Sequence, residues 1–140
     1  MARVTARIIL KDPGPPGATQ APSAINAVTV RRYRVTFRRS DGRNTPGVDV
    51  PFPFDSATTF TVAPGALVQQ VFELVRHSSK LEPPLRQLAG CIIVGTIPQD
   101  CVIISTIADV TFFGRDQAGN DISATGSIGV LFGDFADPED

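Results

Sequence analysis

Six of the chain's eleven arginines fall within thirteen residues: Arg31, Arg32, Arg34, Arg38, Arg39 and Arg43. Guanidinium groups clamp oxyanions in pairs, so such a stripe suits phosphate, an acidic polysaccharide or an acidic protein surface. Tyr33 and Phe37 interleave with it, a pattern that can serve base stacking. Parity opposes that reading. Tyr33, Val35 and Phe37 share one side of an extended segment, and Arg32, Arg34, Thr36 and Arg38 share the other. A plainer account is a solvated face. Its charges would pair with acids on neighbouring strands and keep an edge from aggregating. If the stripe meets a partner, Arg32, Arg34 and Arg38 are the expected contacts. A net charge of −1 speaks against nucleic acid as that partner. The tail carries four of the fourteen acids (Asp134, Asp137, Glu139 and Asp140), and removing residues 134–140 takes the net charge to +3. The body is therefore basic, and its acidic end is the counterweight.

Other candidate chemistry is sparse. Cys91 and Cys101 flank the segment IIVGTIPQD. A hairpin centred near Thr96 would set them across from each other and permit a disulfide. Two buried free thiols are the alternative. Two cysteines and one histidine match no standard zinc spacing, so no metal is expected. Asp116, Asn120 and Asp121 lack the spacing of a calcium loop and read as turn residues making side-chain to backbone hydrogen bonds. His77, in a segment read as an apolar strand, has Ser78-Ser79 beside it but no nucleophile elbow nearby. Glu73 and Glu82 are the only glutamates outside the tail, which leaves little for paired-carboxylate chemistry. No Gly-rich phosphate loop follows a strand. The chain is read as non-catalytic, with no cofactor.

The elements that must position these residues are strands. Two Lys, three Glu and one Met leave few strong helix formers. One domain spanning 1–140 is expected, with a proline-rich connector at 11–26 and an acidic tail at 133–140. No run of about 18 apolar residues is available to span a bilayer as a helix. Residues 4–11 alternate, with Val4, Ala6, Ile8 and Leu10 on one side. The run 27–39 changes phase at Arg31-Arg32, which predicts a β-bulge. Residues 48–55 carry Pro51 and Pro53 and are expected at an edge, as a short strand. Residues 57–62 form a threonine-rich strand with Phe60 and Val62 inward. The segment 67–77 fits either period and is read as a strand from its context. One helical turn can start at Pro83-Pro84. Two apolar runs flank GTIPQD. The second continues through Thr106, Ala108, Val110 and Phe112, with Ile107, Asp109, Thr111 and Phe113 opposite. After the loop DQAGND, Ile122, Ala124, Gly126, Ile128, Val130 and Phe132 alternate as an inward face, closing a hairpin.

Seven to nine short strands separated by turns predict an all-β fold, an antiparallel immunoglobulin-like β-sandwich, with a jelly roll second. The segment VTFFGRDQAGNDISATGSIGVLF resembles the final hairpin of bacterial Ig-like and fibronectin-III-like surface domains. RYRVTFRRSDGRNTPGVDVPFPFD and FELVRH are similar to segments of small exported bacterial proteins, often lipoproteins, without an assigned activity. The resemblance implies a periplasmic or surface setting and transfers no catalytic residue. No signal peptide or lipidation cysteine stands near Met1.

Three functions are compatible with these features. The first is a module for protein or envelope contacts. The second is a structural subunit, as in a phage particle or surface filament, whose first strand swaps into a neighbouring copy. The third is a binding domain for an acidic ligand.

Overall fold

Alternation of apolar and polar residues, not helix propensity, sets the elements. The computed structural model describes residues 1–9, 26–89, 92–94, 97–99 and 102–134. The strands are β1 (Ala2–Arg7), β2 (Val28–Arg38), β3 (Phe54–Val62), β4 (Leu67–Phe72), β5 (Ile92–Val94), β6 (Ile97–Gln99), β7 (Ile104–Asp116) and β8 (Asp121–Phe132). The fold is all-β and its sheets are antiparallel. Four strands form one sheet in the order β3-β2-β7-β8. The pair β1-β4 forms a ribbon, with Ala2 opposite Phe72 and Arg7 opposite Leu67. The pair β5-β6 forms a short hairpin, with Ile92 opposite Gln99 and Val94 opposite Ile97. Among the described residues, no helix is long and apolar enough to cross a membrane.

The chain divides into two compact units, whose boundaries run through β2, β7 and β8 and at the first residue of β3. In the first unit, aromatic rings join ribbon to sheet. Phe72 on β4 packs edge-on against Tyr33 on β2 and Phe112 on β7, with both centroid distances 5.3 Å. Phe60 on β3 completes the cluster, 6.0 Å from Phe112. Such rings bury large areas, and the edge-to-face geometry adds to that burial. Tyr33 is buried, and its hydroxyl needs partners. It donates to the Glu73 carbonyl at 2.9 Å and accepts from the Glu73 N–H at 3.2 Å. That double bond fastens the chain where β4 ends.

In the second unit, Val35, Val50 and Ala108 are buried, and Phe37 meets Phe132 edge-on at 5.8 Å. Thr106 is also buried and satisfies its hydroxyl on the Val130 carbonyl at 3.1 Å. The turn after β2 closes on Thr45, whose carbonyl accepts the N–H groups of Val48, Asp49 and Val50. Two 3-10 turns follow, at His77–Leu81 and Leu85–Leu88.

Several expectations need correction. The first strand covers Ala2–Arg7 rather than 4–11, with exposure alternating through Ile8 and Ile9. Residues 48–53 form no strand, only an isolated bridge between Pro46 and Val50. Two prolines in three residues remove the donors a ladder requires. The strand expected over 67–77 ends at Phe72, and His77 is exposed at the start of a 3-10 turn. The turn expected after Pro83-Pro84 is present at Leu85–Leu88. The inward face expected of the last strand is the largest error. Residues 121–129 are all exposed, Ile122 and Ile128 among them. The phase change at Arg31-Arg32 is present, as two consecutive exposed residues between buried Val30 and buried Tyr33. The connector 11–26 lies almost wholly outside the described residues, as do Cys91, Cys101 and the tail beyond Asp134.

Candidate functional site: an arginine-lined pocket and an exposed edge strand

The sheet order puts β2 between β3 and β7, so its arginines meet acids on both sides. In the first unit, Arg32 and Arg34 share Asp55 of β3, at 3.5 and 3.8 Å. In the second, Arg38 reaches Asp109 of β7, with Nε 2.7 Å from Oδ2. The Arg38 guanidinium, then the Ser127 hydroxyl, hold the Asp109 carboxyl below the usual aspartate range. Asp41 is lowered as well, chiefly by the Arg43 backbone N–H, with the Arg39 and Arg43 side chains adding to it. The three arginines expected to contact a partner thus stand in ion pairs across the sheet, with their side chains about half exposed.

At the other end of the stripe, in the first unit, the arginines converge on an open pocket of about 490 Å³. Arg31, Arg32, Arg115, Asp121, Phe113 and Ile122 are among the residues that line it. The Arg32 guanidinium lies 4.0 Å above the Phe113 ring, a stacked geometry that holds its plane in place. Arg115 pairs with Asp121 at 2.9 Å. Among the described residues, Arg31 has no ion-pair partner. Arg32 keeps its pair with Asp55 and Arg115 its pair with Asp121, so the pocket's excess positive charge rests on Arg31. The sequence reading placed Phe113 on the opposite parity to Phe112 but did not connect it with the arginines. Arg115 was missed because it stands 72 residues from the cluster. The sheet order β2-β7-β8 is what brings these residues together.

The pocket adjoins the start of β8, which closes one edge of the sheet. Side-chain pairs step along the hairpin with β7: Arg115 with Asp121, Thr111 with Thr125, Asp109 with Ser127. These positions make up the polar face. The other face carries Ile122, Ala124, Gly126 and Ile128, all exposed, and among the described residues no layer buries them. Side chains added at Gly126 or Gly129 would meet nothing within 4 Å.

The hairpin turn explains the Asp116 cluster. The Asp116 carboxylate accepts from the Asn120 side chain and backbone, which lower its pKa, and Gly119 takes φ 88°. Among the described residues, the buried Ser79 hydroxyl and the Arg76 Nε have no hydrogen-bond partner. The Arg76 guanidinium instead faces the Phe54 ring at 5.0 Å. Comparison with family models, curated proteins and solved structures finds no match.

Proposed function

We propose that this chain is a non-catalytic β-sandwich module of immunoglobulin-like type that works by protein–protein contact through β8. The exposed edge strand carries this reading. An unpaired edge offers a row of backbone donors and acceptors to an incoming strand, and natural edges are usually blunted by charge, proline or a bulge. From Ile122 to Phe132, β8 contains none of the charged residues or prolines that serve this purpose. Its apolar face is open over the same stretch. The likeness of the hairpin to exported bacterial Ig-like domains supports a setting at the bacterial surface or periplasm.

A photo-reactive residue at Ile128, introduced in the source cell, tests the reading. The expected result is one discrete protein adduct that disappears when the probe is moved to exposed Thr59 on β3. A probe that captures no protein at Ile128 contradicts it.

A second reading rests on β1. None of its six residues is fully buried, yet its register with β4 is regular. A strand held this way can exchange into a neighbouring copy, which fits a subunit of a larger assembly.

A further inference from the structure

The contact reading leaves the arginine pocket without a role. We infer that the pocket binds an acidic carbohydrate, one that carries a single negative charge on each sugar unit, as a carboxylate or a sulfate ester. The inference goes beyond the contact reading and does not rest on it. The lining residues all belong to the first compact unit, on β2, β7 and the start of β8.

Charge sets the first requirement. Arg32 is paired with Asp55 and Arg115 with Asp121, so among the described residues one positive charge, that of Arg31, is left over. One guanidinium is balanced by one anionic charge, and its planar fork matches two oxygens of a carboxylate or a sulfate ester. A second negative charge on the ligand would lie near Asp121 with no free cation to balance it.

Size and lining set the second requirement. An opening of about 490 Å³ falls in the range of small-molecule sites and exceeds what a bare ion fills. Ser123 and Asp121 bring a hydroxyl and a carboxylate that exchange hydrogen bonds with ligand hydroxyls, while Phe113 and Ile122 bring apolar surface. A sugar ring answers both, with hydroxyls around its rim and C–H groups on its faces. A nucleotide chain also carries one charge per unit. The Phe113 face on which a base would stack is covered by Arg32, 4.0 Å from the ring centroid.

Titration of the full chain, followed through its backbone amide NMR shifts, tests this. Glucuronate and galactose 6-sulfate are the probes for the two anions. Glucose, acetate, glucose 6-phosphate and a deoxythymidine oligonucleotide are compared at matched ionic strength. At least one acidic probe should shift the amides of Arg31, Gly114, Arg115 and Ser123 saturably, with a Kd on the order of 1 mM. The tighter of the two identifies the anion. Arg31→Ala should weaken that binding about fivefold or more, and Arg31→Lys less, because it keeps the charge and loses the fork. Asp121→Asn should strengthen it about threefold by releasing Arg115. Arg31 and Asp121 are both exposed, so these variants spare the core. No saturable shift from either acidic probe overturns the inference. So does equal or tighter binding of any of the four comparison compounds, or an Arg31→Ala chain that binds as well as the parent. If neither acidic sugar binds while the Ile128 probe still captures a protein, this inference falls and the contact-module reading stands.

Discussion

Individual side chains carry three separable roles. The Tyr33 hydroxyl satisfies both backbone groups of Glu73 from a buried position. Tyr33→Phe strands those groups and should cost about 1–3 kcal/mol in chemical denaturation, with the slope unchanged. Ser79 is the reverse case, since its buried hydroxyl has no hydrogen-bond partner among the described residues. Ser79→Ala should be neutral or stabilising by up to about 1 kcal/mol. Loss of more than that would show that the hydroxyl is satisfied. Asp109 governs an acid limb. Its pKa is lowered in the folded state by Arg38 and Ser127. The stability it adds is therefore complete above the unfolded aspartate pKa of about 3.9 and fades as pH falls through the lower folded value. Asp109→Ala should cost roughly 1 kcal/mol at pH 7 and much less near pH 2, read from melts at both.

At the scale of elements, β2 was the most readable strand and β8 the least, although β8 has the cleaner alternation. The arginines and aromatics of β2 separated by parity, and even its phase change appears in the burial pattern. Alternation marks which side chains share a face. It does not show whether another layer covers that face. β2 has a neighbour on each side, whereas β8 closes the sheet. Its inward parity is met at Phe132, against Phe37, and left open from Ile122 to Ile128. The pocket was legible only in halves, because Arg31-Arg32 and Phe113-Arg115 meet through strand order, which local patterning does not encode. Strand order also constrains Gly114. A Cβ there would stand 2.7 Å from the Thr29 carbonyl oxygen. Gly114→Ala should therefore destabilise by roughly 1–3 kcal/mol, since backbone cannot yield as a side chain does.

Over the whole molecule, a net charge of −1 hides an asymmetry, since removing residues 134–140 leaves +3. A chain ended after Gly133 should be retained on a heparin-like resin at low salt and released as salt screens the contact. The full chain should elute earlier, because its acids offset the arginines. Equal elution would separate the tail from the arginine surface. The edge contact itself is reached most directly by amide hydrogen exchange along β8, measured on the chain alone and together with the protein captured at Ile128. Strand addition at the β8 edge predicts that alternate amides between Ile122 and Leu131 gain protection when that protein is present, while those of β3 at the opposite edge do not change. Unchanged exchange along β8 would contradict it.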